Sequence, residues 1–167
     1  MNKLAQILGI ELPNEIEISS ITNTTDKVKD GSIFFALKGT QNHGSKYIEE
    51  AFEKGAKLAI HNDKNFCSSN ENIIYVRDLQ SNDGEMIFKV LEAFYQIDNF
   101  NSHNYYAFTG TNGKRTSAYL CHQLLTKKGL SSIYIGTIGT QYNTNPLDQS
   151  ISKKTTPDIF ELFEIFN

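Results

Sequence analysis

Apolar positions along this chain change their spacing several times, and each change marks an element. Leu4, Ile7 and Leu8 recur at helical spacing after Asn2, and Gly9 stops the run, which predicts a short amino-terminal helix. Ile16, Ile18 and Ser20 alternate as a strand does, and Thr22 to Asp30 is polar and turn-like. Ser32 to Leu37 is an unbroken apolar run of strand length, which predicts a strand buried on both faces. Ser45 is placed to cap a helix carrying Ile48, Ala51 and Phe52, ended by Gly55. Ala56 to Ile60 and Asn72 to Val76 predict two more strands. Asp83 is then expected to cap a helix whose stripe is Ile87, Val90, Leu91 and Phe94.

Ile97 to Asn104 is a polar break, so the chain divides into a domain over 1–98 and another over 99–167. Beyond the break the pattern becomes strand, loop, helix, strand, loop, helix. Tyr105 to Phe108 predicts the first strand, and Lys114 to Lys128 a helix ended by Gly129. Ser132 to Ile138 predicts the second strand. Thr156 and Pro157 predict a helix start, with Ile159, Leu162, Phe163 and Phe166 as its apolar stripe. Two strands are too few for an independent parallel sheet, so the second domain reads as the truncated start of a larger one. The fold class is α/β.

Composition narrows the function. With 39% hydrophobic and 21% charged residues, the chain has enough apolar material for a packed core. Formal net charge is −3 and no basic stripe is visible, which argues against nucleic acid as a partner. No apolar run approaches the roughly 20 residues of a membrane span, so no membrane is expected. Met1 to Gly9 lacks the regions of a signal peptide, which points to the cytoplasm. Cys67 and Cys121 have no metal-ligand spacing and suit reduced thiols, Cys121 on the apolar side of its helix. His43, His61, His103 and His122 are too scattered for a zinc site, and His43 reads as a surface-loop residue. Nothing in the pattern sets an oligomeric state.

The candidate chemistry lies at Thr109-Gly110-Thr111-Asn112-Gly113-Lys114-Arg115-Thr116, between a predicted strand and a predicted helix. Gly110 and Gly113 let the backbone turn tightly and bring its N–H groups against a polyphosphate. The first helical turn adds unpaired donors and the positive end of the dipole. Lys114 would reach the terminal phosphates, and a hydroxyl just after it would normally hold Mg2+. Phe108 stands where the general phosphate loop has its first glycine, so the shorter form narrows the choice.

Gly110-Thr111-Asn112-Gly113-Lys114 resembles the ATP loop of the Mur ligases, enzymes that build the peptide stem of peptidoglycan. The stretch from Lys27 to Thr40 is similar to the amino-terminal part of those enzymes. Gly136-Thr137-Ile138-Gly139 resembles the second strand of their central domain and the loop after it. Thr155-Thr156-Pro157-Asp158 resembles a segment that contacts their UDP-sugar substrate. The likeness is greatest to the members that add a diamino acid to UDP-N-acetylmuramoyl-L-alanyl-D-glutamate.

That resemblance implies a small UDP-sugar-binding domain followed by the start of a P-loop, parallel-sheet ATP-binding domain. It implies ATP and Mg2+ as cofactors, and a UDP-N-acetylmuramoyl-dipeptide and a diamino acid as partners. ATP would phosphorylate the substrate carboxylate, and the incoming amine would attack the acyl phosphate. Gly110, Thr111, Asn112, Gly113, Lys114, Arg115 and Thr116 would hold ATP, with Lys114 the catalytic cation. Thr25, Thr40, Gln41, Asn42, Thr155 and Thr156 would contact the UDP-sugar. Thr25 equally suits an ordinary polar turn, Gln41 and Asn42 a surface loop, and Thr156 a helix cap.

Three departures qualify the likeness. Thr24-Thr25-Asp26 replaces the family's Asp-Ser-Arg, so an arginine has become an acid. Arg115 replaces a threonine that helps hold magnesium, and a guanidinium cannot ligate a cation; Thr116 could substitute if the helix start shifts. The family also continues well past Asn167, through its amino-acid-binding domain, so the isolated chain is expected not to form the amide bond. A non-catalytic UDP-sugar or nucleotide-binding module is the alternative. A P-loop kinase or GTPase would need a carboxylate on a later strand, and Ser132 to Ile138 offers none.

Overall fold

The apolar run after Gly31 forms β2 (Ser32–Ala36), whose five residues are all buried. In this computed structural model, which describes residues 2–11, 17–97, 103–147 and 156–167, β2 is an interior strand of a four-stranded sheet. The sheet runs in the order β1 (Ser20–Thr22), β2, β3 (Ala56–His61), β4 (Ile73–Tyr75), and every pairing is parallel. Between β2 and β3 lies α2 (Ile48–Glu53). Parallel strands flanked by neighbours lose both faces to the interior, which is why these segments read as continuous apolar runs. The chain divides into two compact units, Met1–Gln96 and Ile97–Asn167. The expected boundary after residue 98 lies outside the described residues.

In the first unit the core forms where small residues let a helix approach the sheet. Phe34 and Ala36 pack with Ile48 and Ala51 of α2 and with Ala56 and Ala59 of β3. Ile33 and Phe35 alternate to the opposite face and are equally buried. The register of β2 on β3 slips after Ser32, which pairs with Ala56 while Ile33 pairs with Leu58. Lys57 is thereby set out to solvent, where it pairs with Asp30 at 2.9 Å. α1 (Asn2–Leu8) and α3 (Glu85–Tyr95) pack on each other through a buried set that includes Leu4, Leu8, Ile87, Val90 and Leu91.

Some local expectations fail for identifiable reasons. Among the described residues β1 runs from Ser20 to Thr22, which pair with β2, and Ile18 lies ahead of it; Ile16 lies outside the described residues. Ser45 does not cap α2. The helix is preceded by a tight 3-10 turn, Gly44–Tyr47, and the His43 ring accepts the Ser45 N–H. Asp83 does not cap α3, because its backbone is left-handed (φ 54°, ψ 26°) and a capping residue needs an extended one.

The second unit holds α4 (Lys114–Lys127), followed by an antiparallel sheet of β5 (Ile133–Gly136), β6 (Gly139–Tyr142) and β7 (Asn145–Pro146). The α/β class stands, but the strands described here are not parallel. Tyr105 to Phe108 form no ladder and are exposed. The segment expected as one strand over 132–138 instead turns at Thr137 and Ile138 and pairs with the residues that follow. A hairpin partner is available locally, whereas a parallel partner must come from elsewhere. His122 fastens α4 to this hairpin: Nδ1 lies 2.9 Å from the Ser132 hydroxyl and Nε2 2.8 Å from the Asn143 carbonyl.

α5 (Ile159–Phe166) is capped by Asp158 and not by Thr156. Asp158 accepts the Glu161 N–H at 3.0 Å, and the Glu161 carboxylate accepts the Asp158 N–H at 3.1 Å. Its buried face carries Phe160, Phe163 and Ile165, so of the expected stripe only Phe163 is retained. Apolar residues surround this helix, and packing chooses the face.

The tight interface of small residues yields a stability prediction. Phe34→Ala should lower the stability of the first unit by about 3–5 kcal/mol, the usual cost of emptying a buried phenylalanine site. A urea titration followed by circular dichroism checks it, the midpoint shifting strongly downward.

Candidate functional site

Two places collect polar chemistry, one in each unit. In the second unit the loop before α4 turns on Gly110 (φ 137°) and Gly113 (φ 79°), conformations open chiefly to glycine. No side chain caps α4 at Gly113, and the first turn contains no acidic residue. Instead it carries Lys114 and Arg115, two cations at the positive end of a helix dipole. The Lys114 ammonium folds back onto the carbonyls of Gly110 and Thr111. Thr111, Asn112, Arg115 and Thr116 are exposed. A polyanion bound there would relieve the like-charge crowding of Lys114 and Arg115.

The same loop does not suit the expected metal. α4 starts at Lys114, so its start has not shifted to bring Thr116 into the place after the lysine. Arg115 occupies that place and offers donors only.

In the first unit the polar chemistry lies at the carboxyl edge of the parallel sheet, where ligands of α/β folds commonly bind. The β2 strand leaves that edge through a tight loop. Gly44 N–H returns to the Leu37 carbonyl at 2.7 Å, Gly39 N–H to the Asn42 carbonyl at 3.0 Å, and Lys38 bridges His43. A Cβ on Gly44 would stand 2.8 Å from backbone atoms of Ala36 and Leu37, so the loop closes only on glycine there. Thr40, Gln41 and Asn42 form the exposed tip.

A chain of side chains ties this loop to the ends of β3 and β4. Gln80 Oε1 accepts the Lys38 N–H at 2.7 Å, and Gln80 Nε2 donates to the Lys38 carbonyl at 3.2 Å. Asn62 Nδ2 donates to the same Gln80 oxygen at 3.1 Å, and its Oδ1 lies 3.0 Å from His43 Nε2. His43 Nδ1 accepts the Ser45 N–H at 3.2 Å. The Ser45 hydroxyl donates to Asp63 at 2.6 Å. That bond, with one from the Asn65 N–H, holds the Asp63 carboxyl below its ordinary value.

His61, the last residue of β3, is buried with its Nδ1 unpartnered and rings of Phe66 and Tyr75 set edge-on at 5.1 and 5.5 Å. Burial lowers its pKa, opposed by the Asp63 carboxylate and reinforced by His43.

The structure places Thr40, Gln41 and Asn42 together at this edge. Thr25 sits on the 3-10 turn Thr25–Lys27 after β1, where its hydroxyl bonds Glu50. Glu50 is in turn held ionised by Lys54 at 2.7 Å. Thr156 is exposed ahead of α5 in the second unit, and Thr155 lies outside the described residues. His43, expected as a surface-loop residue, belongs to this network together with Asn62, Asp63 and Gln80, which no sequence motif marks. Position after a strand's carboxyl end was the available signal.

Comparison with known proteins bears on both places. Residues 17–97 match the model of the Mur ligase family, catalytic domain. Over 160 residues the chain is 34% identical to a UDP-N-acetylmuramyl-tripeptide synthetase 2 of Oceanobacillus iheyensis, covering 94% of this chain and 30% of the relative. It is 33% identical over 160 residues to a UDP-N-acetylmuramoyl-L-alanyl-D-glutamate--2,6-diaminopimelate ligase of Rickettsia montanensis, covering 93% of this chain and 31% of that protein. Residues 17–97 belong to the Mur ligase family, and the likeness to its members extends over nearly the whole chain.

It spans about a third of the length of the Mur ligases it matches. A solved structure of a UDP-N-acetylmuramoyl-L-alanyl-D-glutamate--2,6-diaminopimelate ligase superposes with a TM-score of 0.62 at 24% identity, covering 97% of this chain and 32% of that one. At that identity the likeness speaks for the fold alone. Among the described residues no helix is long and apolar enough to cross a membrane.

The buried His61 of this Mur ligase chain makes its stability depend on pH. Because the folded-state value is the lower one, the unfolded chain takes up the proton first. The stabilisation is therefore full above the ordinary value of 6.5 and lost as pH falls through the folded value. The thermal midpoint of the first unit should drop between about pH 7.5 and 5.5, and His61→Leu should flatten that profile. Parallel melting curves of the two proteins check it; Asp63, also lowered, titrates below this window.

Proposed function

We propose that this chain forms the UDP-sugar-binding and initial ATP-binding parts of an ATP-dependent amide-bond ligase of peptidoglycan precursor synthesis. Residues 1–98 are the UDP-sugar domain and 99–167 the start of the ATP domain. The substrate is UDP-N-acetylmuramoyl-L-alanyl-D-glutamate, and a diamino acid is the group added. The known activities for which the relatives are named support this substrate class. The observation that carries the nucleotide half is the uncapped helix start at Gly113 with Lys114 and Arg115 in its first turn. Exposed Tyr106, Phe108, Leu120 and Leu124 in the same unit are apolar surface that a larger ATP domain would cover.

In this reading Gly110 to Gly113 present backbone donors to the β- and γ-phosphates, and Lys114 leaves its carbonyl partners to neutralise them. ATP supplies the phosphoryl group that activates the substrate carboxylate. Thr40, Gln41 and Asn42 meet the UDP portion at the sheet edge, with Thr25 on the neighbouring turn, while Thr155 and Thr156 contact the sugar side. Arg115 has no lone pair with which to ligate the expected Mg2+. This favours a second reading, a binding module derived from the family that holds nucleotide without turning it over. The site fits the chemistry of the cytoplasm, where nucleotide is plentiful.

Two predictions separate these readings. Lys114→Ala should weaken binding of a non-hydrolysable ATP analogue by about 10- to 100-fold, the worth of a charge-assisted hydrogen bond, as read by calorimetry. Affinity that stays the same would remove the loop from the site. Arg115→Thr should make analogue binding several-fold tighter with Mg2+ than with EDTA, whereas the parent chain should show little difference. Equal magnesium dependence in both proteins would clear Arg115 of any effect on the metal.

A further inference from the structure

The hydrogen-bond chain at the sheet edge has a fixed polarity. Amide and imidazole groups can be drawn either way round, but backbone N–H groups only donate. Ser45 N–H at one end obliges His43 Nδ1 to accept, which puts the ring proton on Nε2 and makes Asn62 Oδ1 the acceptor. Lys38 N–H at the other end obliges Gln80 Oε1 to accept, which turns the Asn62 amide the same way. Both ends therefore demand one arrangement, and every internal member satisfies it. A network so determined specifies a shape more sharply than a set of independent surface bonds.

What it shapes is the loop from Lys38 to Gly44. Gln80 pairs with both backbone groups of Lys38, as a neighbouring strand would, at the point where the sheet has ended. His43 grips the other side of the same loop, and Lys38 and His43 are themselves bridged. Thr40, Gln41 and Asn42 are the tip between these two fixed points. We propose that Gln80, Asn62 and His43 are positioning residues that hold the 38–44 loop in its ligand-binding shape while touching no ligand themselves. This rests on the reading of the loop tip as a UDP-sugar contact.

The test uses the whole chain with UDP-N-acetylmuramoyl-L-alanyl-D-glutamate as probe, comparing the parent with Gln80→Ala and Gln80→Glu. Gln80 is exposed, so neither variant removes core packing. Gln80→Ala should speed amide exchange at Gly39 and Gly44 by about tenfold, weaken the probe by a similar factor, and leave the thermal midpoint within a few degrees. Gln80→Glu keeps the acceptor and loses only the donor to the Lys38 carbonyl, so it should fall between parent and alanine variant. Binding by the parent with unchanged affinity and unchanged Gly39 and Gly44 exchange in Gln80→Ala would overturn the positioning role alone. No binding by the parent would sink the UDP-sugar reading and this inference together.

Discussion

The first unit depends on the burial of β2 on both faces and between two neighbouring strands. A strand so placed must have its polar groups paired within the protein: β1 and β3 flank it, and its one polar residue, Ser32, bonds Lys29 through its N–H and both Ser20 and Lys29 through its hydroxyl. The demand does not stop where the strand does. At Lys38 the backbone still presents an N–H and a carbonyl, but the sheet partners have run out. Gln80 meets both groups with a side-chain amide. The polar side chains at this edge thus follow from satisfying backbone groups that the buried strand leaves behind.

How much of this could be read from the sequence depends on the range of the interaction. Burial on two faces leaves a local mark, so the apolar runs of β2 and β3 and the stripe of α3 were legible. The glycine turn ahead of α4 was legible too, because Gly110, Gly113 and the helix start are neighbours in the chain. The start of α4 at Lys114 was legible, but three caps were not: Ser45, Asp83 and Thr156 are all good capping residues, and each lost to a competing geometry. Ser45 was drawn to Asp63, Asp83 was turned left-handed, and Asp158 with Glu161 formed a better cap than Thr156. The edge network was invisible, since its partners lie 18 to 42 residues apart and share no motif.

The two candidate binding places work by different physics. The sheet edge is held by neutral hydrogen bonds already satisfied within the chain, so its contribution to a ligand is shape. The loop before α4 is electrostatically unsatisfied, with two cations at a positive helix end, so its contribution is charge. Added salt should screen the second far more than the first.

Arg115 sharpens that distinction within the loop itself. A divalent ion at a phosphate site does two things: it offsets negative charge and it fixes the oxygens in a defined coordination geometry. A guanidinium can supply the first through its own charge and donors, but it has no acceptor with which to organise a metal. On the proposed reading, the substitution therefore keeps the attraction for a polyphosphate while removing a means of aligning it. Binding and turnover draw on different properties of a bound cation, and on that reading the one that needs alignment would be impaired.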